Sequence, residues 1–550
     1  MNTNRHSNNS VAMRLLKLAA VISILASAQP LAQAQSGTWN ATSSGLWSNT
    51  ANWQSGTVAD GSGNTATFSA NLTSDVTVGL DSARTIQTLS FSDTNTATPG
   101  SWILGNNGNA ANTLTMNGTN PTITVNALGT GSTATVSLQL SGTQGIRKTG
   151  SGTLVLTNGA NNFSGGLLGG SANWGTIRVA DSTVYGAGNQ SITSTIMGTA
   201  GASLTASGGT LELRYNGQND TTAQTLSMAA ASGALTLGGS PTTINVDRES
   251  GTGTNKTIAM GNFITTGSGT LNVTGSNGYN LRIGGNVVLN NGNNPIFNPT
   301  TANLTIAGAW SGFGSANRTV TLDGTSAGNG ISGNITNSGG GGAVLSLVKS
   351  NSSTWVLGGN NTYAGTTSVN AGTLLINGST SASSAVTVAA GATLGGNGTI
   401  GGATTINGIL APGNSIGQLN ITANTTWAGA ATAGATTDWK FELGAANSSD
   451  LLNITGDFLK DTAAGSVFRF DFLGSSATGT FKLIDWSGST GFSASDFSYN
   501  IGSLGGGNTG TFAFSNSQLE FTVVPEPSTW AMLAFGLTTV MVLRRRRPLP

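Results

Sequence analysis

Lys148-Thr-Gly-Ser-Gly-Thr-Leu-Val-Leu-Thr-Asn-Gly-Ala-Asn-Asn-Phe-Ser-Gly165 is the stretch whose reading decides the fold. It holds a short apolar strand, Leu154-Val-Leu156, followed by the turn pair Asn158-Gly159. The same unit recurs as Leu114-Thr-Met116 before Asn117-Gly118 and as Leu374-Leu-Ile376 before Asn377-Gly378. Asn and Gly tolerate the left-handed backbone that tight turns need. Many short strands at near-regular spacing imply a sandwich, a barrel or a solenoid. About 390 residues without a Pro-rich linker are too many for one sandwich. A solenoid grows coil by coil and has no such limit. No long amphipathic helix interrupts the pattern between the two chain ends, so the chain reads as all-β.

A second copy of the long unit follows. Lys349-Ser-Asn-Ser-Ser-Thr-Trp-Val-Leu-Gly-Gly-Asn-Asn-Thr-Tyr-Ala-Gly365 leads to Gly372-Thr-Leu-Leu-Ile376, as the first leads to Gly175-Thr-Ile177. Gly209-Thr-Leu-Glu-Leu213 and Gly269-Thr-Leu-Asn-Val273 are looser relatives. The unit resembles the autotransporter-associated β-strand repeat, roughly K-x-G-x-G-T-L-x-L-x-G-x-N-x-Y-x-G and then G-T-L. The second copy departs from it at Ser353 and Trp355, the first at Phe163 and in an insertion before Trp174. The resemblance implies a right-handed parallel β-helix, with ladders of Thr, Asn and aromatic side chains. At roughly 20 to 25 residues per coil and about 4.8 Å per step, the rod would be of order 80 Å long. Leu394-Gly-Gly-Asn-Gly-Thr-Ile-Gly-Gly402 and Gly408-Ile-Leu-Ala-Pro-Gly-Asn-Ser-Ile-Gly417 resemble the closing signature of autotransporter passengers. A translocating barrel needs many strands of about ten residues. Only about 130 residues follow Gly417, so the passenger-like rod is expected without its barrel, exported by the general secretory route.

Composition excludes several chemistries. The chain has no Cys and one His, His6, inside a segment read below as removed. That rules out a Ser-His-Asp triad, a Cys nucleophile and a Cys/His zinc site in the mature chain. No cofactor and no metal are expected. Charged residues are 7% of the chain, against about 25% in ordinary domains. Between Lys17 and Arg544 lie 14 basic and 20 acidic residues, net −6. Nucleic-acid binding needs a basic footprint, and this is not one.

Both ends read as targeting signals. Arg14 and Lys17 precede the apolar run Leu18 to Ala28, and Ala32-Gln33-Ala34 is a small-x-small pattern. This is the layout of a secretory signal peptide, cut by signal peptidase between Ala34 and Gln35. An uncut anchor is the alternative, and Met13 is an alternative start. At the other end stand Val524-Pro-Glu-Pro527, an apolar helix from Trp530 to Leu543, and Arg544, Arg545, Arg546 and Arg547. The arginines would stay on the cytoplasmic side. The tail resembles the PEP-CTERM sorting domain. That resemblance implies that Val524, Pro525, Glu526 and Pro527 are recognised by an exosortase-type enzyme of an exopolysaccharide-making Gram-negative bacterium. The helix would then make transient membrane contact as a transmembrane segment. A plain C-terminal anchor is the alternative.

The expected organisation is a signal peptide over 1–34, a β-solenoid over 35–429, a C-terminal β capping module over 430–523 and the sorting signal over 524–550. Acidic residues concentrate from Asp438 to Asp496, with longer strands such as Trp439 to Leu443. Candidate sites are few. Asp247-Arg248-Glu249 would put two carboxylates on one side of a strand, suiting a β-helix polysaccharide lyase or hydrolase, or would be a solvated strand end. Trp39, Trp47 and Trp53 would stack on glycans, or would close the first coil. Asp450 and Asp457 would bind Ca²⁺, or be ordinary surface carboxylates. The expected role is that of an exported, non-enzymatic surface or matrix protein associated with exopolysaccharide or biofilm. An adhesin or glycan-binding protein is the first alternative and a β-helix enzyme the second.

Overall fold

The computed structural model describes residues 34–525, apart from 171–173, 200–202, 229–233, 291–292, 312–314, 338–341, 430–437, 446–447, 462–465, 475–477, 501–503 and 505–506, together with 535–542. Ala32, Glu526, Pro527 and the four arginines from Arg544 to Arg547 lie outside the described residues.

The chain winds into a parallel β-helix. One side is a sheet of 17 strands in unbroken parallel order, from Gly45–Leu46 to Phe458–Lys460, each strand coming from the next coil. A second side holds 11 strands, from Gly37–Trp39 to Trp310–Ser311, and a third holds 10, from Gln190–Ile192 to Ile409–Pro412. Sixteen steps at about 4.8 Å make a rod of about 80 Å. Measured on the 17-strand side, coils run from 18 residues (Thr387 to Thr405) to 34 (Thr176 to Thr210).

Period-two alternation decides what lies inside. Trp102, Ala134, Leu154, Ile177, Leu211, Ile244 and Val273 stack in register down the core, all buried. One residue earlier in the strands, Thr133, Thr153, Thr176, Thr210 and Thr243 form a half-buried column on the outer face. A slip of one residue would exchange the two columns. Threonine suits the outer position because its branched carbon packs on the pleat while its hydroxyl stays wet.

The aliphatic middle differs from both ends. Near the first coil Trp39, Trp47, Trp53, Phe68 and Phe91 interlock, with ring centroids 4.9 to 5.5 Å apart along the chain of contacts. Near the last coils Trp427 stacks on Trp439 at 3.7 Å, and Phe472 on Phe521 at 4.5 Å. Past residue 430 the parallel stacking continues: Gln418–Ile421 pairs with Leu451–Ile454, and that strand with Gly479–Trp486. The direction then reverses. Gln518–Pro525 lies antiparallel between Gly479–Trp486 and Asn508–Ser515.

The tail is described in part. Its described helix spans eight residues, 535–542, and among the described residues no helix is long and apolar enough to cross a membrane. Residues 530–534 and 543 of the expected transmembrane segment lie outside the described residues.

Candidate functional sites

Each long repeat buries its lysine. Lys148 is the last residue but one of the strand Ile146–Thr149 and Lys349 ends Leu345–Lys349, both on the inward parity and at most 1% exposed. A buried ammonium needs partners. Lys148 Nζ donates to the carbonyls of Thr149, Gly150 and Trp174, each at 2.8 Å, and of Gly152 at 3.0 Å. Lys349 Nζ donates to Ser350 at 2.6 Å, Asn351 at 2.8 Å and Ala371 at 3.1 Å. Burial pushes the Lys148 ammonium down to about 7. It pushes Lys349 down to about 8, with the Asp323 charge acting upward. The ring of carbonyl oxygens opposes that pull, because it coordinates the charged form.

The rest of the motif builds this cage. Residue i+2 after the lysine turns its carbonyl inward by going left-handed: Gly150 at φ +79° and Asn351 at φ +57°. The glycine of Gly-Thr-Ile/Leu forms the roof. A Cβ at Gly175 would stand 2.6 Å from the carbonyl oxygens of Ser151 and Gly152. One at Gly372 would stand 2.4 Å from the Asn351 oxygen and 2.7 Å from Lys349 Nζ.

The Asn-Asn pair ties coils together. The Oδ1 of Asn161 accepts from the Leu140 amide one coil below, and its Nδ2 donates to the Ile196 carbonyl one coil above. The Oδ1 of Asn361 accepts from Ile335, and its Nδ2 donates to Gly359 and to Ser379 of the next coil. Both are buried, as are Phe163 and Tyr363 two residues on.

The sequence-based candidates fall differently. Trp39, Trp47 and Trp53 are at most 2% exposed, and the indole N–H groups of Trp47 and Trp53 donate to the carbonyls of Ala59 and Trp47. They present no face to a sugar, which corrects the glycan-contact expectation: the inward parity of Gly37-Thr-Trp39 puts the ring in the core. The Asp247-Arg248-Glu249 expectation also changes. The strand Thr242–Asp247 stops before Arg248, so alternation does not extend to Glu249. Asp247 Oδ1 accepts from the Asn277 side chain and the Arg248 amide, and the Glu249 amide donates to Asn216. Arg178, Glu212 and Arg214 form an ion-paired group on the neighbouring coils, which sequence reading missed because Arg178 lies on Thr176–Val184 and the other two on Thr210–Asn216, one coil away. Asp450 accepts from the amides of Gly417 and Glu442 and is buried, which raises it to about 6. Asp457 accepts from the Ser489 amide and hydroxyl. Among the described residues no group of three or more His, Asp or Glu is placed to hold a metal.

Of the sorting residues, Val524 and Pro525 are described. They are the last rungs of Gln518–Pro525, opposite Thr509 and Asn508. Of the processing residues at the other end, Ala34 is exposed and Gln35 bridges antiparallel to Asp60.

The comparisons agree with these two features. The passenger-associated-transport-repeat family matches residues 146–168, which hold Lys148 and its turn but not Trp174 or Gly175, and 347–376, which hold the whole Lys349 cage. The PEP-CTERM protein-sorting motif matches 523–547. A segment of 145 residues is 36% identical to the adhesin BmaC autotransporter of Brucella suis biovar 1 (strain 1330). That segment is 26% of this chain and spans only 4% of the adhesin's length. The protein is thus a parallel β-helix bearing autotransporter-type passenger repeats and a PEP-CTERM sorting motif, the marks of an exported cell-surface protein.

Proposed function

We propose that this chain is a non-catalytic structural rod of the cell surface or extracellular matrix of a Gram-negative bacterium, associated with exopolysaccharide or biofilm. Signal peptidase would release it after Ala34. The membrane contact of the tail would be transient, ending when an exosortase-type enzyme acts at Val524 to Pro527. The observation that carries this reading is the junction at Pro525, where the last rung of the rod runs directly into the sorting motif. In this reading the solenoid spans 35–429, and the segment 430–523 closes its open end with the antiparallel hairpin. An uncapped end would expose unpaired strand edges.

Intact mass spectrometry of the protein recovered from outside the native cell tests it. A mass from Gln35 to near Pro527 is expected. A mass that retains Arg544 to Arg547 would overturn tail processing. A second reading, an adhesin, is favoured by the segment similar to the Brucella adhesin. It predicts that the purified rod binds a host or bacterial surface saturably. Since the tryptophans are buried, the contact would come from the outer Thr, Asn and Ser columns and the Arg178–Glu212–Arg214 group.

A further inference from the structure

We propose that the turn of each passenger repeat is a monovalent-cation cradle, a ring of backbone carbonyls sized for ammonium or potassium, and that the repeat lysine is its tethered occupant.

The argument starts from a count. An ammonium has three hydrogens, yet four carbonyl oxygens surround Lys148 Nζ at 2.8 to 3.0 Å. Three directed hydrogen bonds do not account for four oxygens at bonding distance. Coordination of a charge by dipoles does, as when carbonyl oxygens replace the hydration shell of a potassium ion. A neutral amine fits worse. It brings two hydrogens, and its lone pair would face the remaining oxygens.

Counter-ions are not the explanation at Lys148, whose Nζ contacts are all backbone carbonyls and whose proton affinity is lowered by burial. Lys256 provides the contrast. It is equally buried, but its Nζ reaches the Asp220 carboxylate at 2.8 Å and the Thr222 carbonyl at 2.6 Å, forming an ion pair. In the two passenger repeats the oxygens that touch the ammonium are backbone carbonyls, and at Lys349 the Asp323 charge adds to them.

The cradle recurs at Lys349 with three of the four members, Gly152 having no counterpart among the Lys349 contacts. Oxygens come from residues i+1 and i+2 after the lysine, and from the residue before the roof glycine, Trp174 or Ala371. The roof glycine belongs to the following coil, so the cradle is complete only when that coil has docked. The lysine therefore reports closure of one coil onto the next.

The test uses the full chain and hydrogen exchange of the segment 349–376. Lys349→Ala empties one cradle and leaves Lys148 as an internal control. In tetramethylammonium chloride its exchange should rise about tenfold or more over wild type. Ammonium or potassium chloride at equal ionic strength should bring it back to within about threefold, and lithium chloride should not. The wild type should be indifferent to the salt. Equal protection of Lys349→Ala and wild type without a fitting cation would overturn the proposal, as would equal recovery in every salt or in none. Lys349→Met fills the volume without charge, and wild-type protection in that variant would also overturn it. A measurement on the unaltered protein covers the case in which the variants do not fold. ¹⁵N spectra of the lysine side chains at pH 6, below the values of about 7 and about 8 for Lys148 and Lys349, should show two ammonium groups with slowly exchanging protons, and neutral amines there would sink the idea.

Discussion

The two copies of the repeat build the same lysine cage with different residues. Copy one uses Gly150 and Gly152 in its turn, and copy two uses Asn351 and Ser353. Asn351 keeps the left-handed backbone. Ser353 uses its hydroxyl to reach the Asp323 carbonyl at 2.8 Å, and the Trp355 indole, which stands where the first copy has Leu154, donates to the same oxygen at 3.0 Å. Tyr363 replaces Phe163 and adds a hydroxyl contact to Thr367 at 2.7 Å. What the repeat conserves between its copies is a set of backbone positions and one buried charge. The side chains around them trade hydrogen bonds for glycine freedom.

The comparison breaks first at the roof glycines. Gly175→Ala and Gly372→Ala each force a Cβ into backbone oxygens at a positive φ. Each should lower local stability by about 3–4 kcal/mol, seen as loss of amide protection in its own repeat with the other intact. If either alanine is tolerated, that copy's cradle is looser than its geometry indicates.

A buried charge of opposite sign sharpens the comparison. Asp450 is held by two amide donors, as the lysines are held by carbonyls, and burial raises it to about 6. Its folded value lies above its unfolded one of 3.8, so the folded chain holds the proton more tightly between them. Its stabilising share is full below about pH 3.8 and is lost as pH rises through about 6, up to about 3 kcal/mol in all. Asp450→Asn should flatten the pH dependence of thermal unfolding over that window. A slope unchanged by the substitution would place the titration elsewhere.

Trp355→Phe removes the indole donor but keeps an aromatic ring in the core. A loss of about 1 kcal/mol in chemical denaturation is expected. Leu154→Met in the first copy, which has no such bond to lose, should cost less than about 1.5 kcal/mol through packing alone. The smallest effect belongs to Asn351→Gly, which restores the residue type of the first copy at an unchanged left-handed position. It should move the midpoint by less than about 0.5 kcal/mol in either direction. A larger shift would mean that the asparagine side chain, which accepts from the Ser352 amide, matters more than its backbone.

Much of the fold was legible because its signal is local. Short strands punctuated by Asn-Gly, copied at two places, lead directly to stacked parallel coils. The cage was readable in part. Ile146 and Lys148 share one parity, as do Leu345, Leu347 and Lys349, so period two already points both lysines inward. A charged residue at a strand end reads by habit as solvated, and that habit hid it. Trp39 near the first coil carried the same parity signal. The partners were not readable, because carbonyl groups leave no mark in a sequence. Neither was the Arg178–Glu212–Arg214 group, whose members meet only once coil lengths of 34 residues set the register.

The strand Gln518–Pro525 has a mechanical consequence. It is flanked on both sides, antiparallel to Gly479–Trp486 and to Asn508–Ser515. A pull along the chain beyond Pro525 acts along the strand axis, so the rungs on both flanks share the load in shear. A rod tethered there and dragged by flow would hold at its attachment point. Force applied across the coils would instead open them one at a time, and the molecule would lengthen from the far end before it came loose from its anchor.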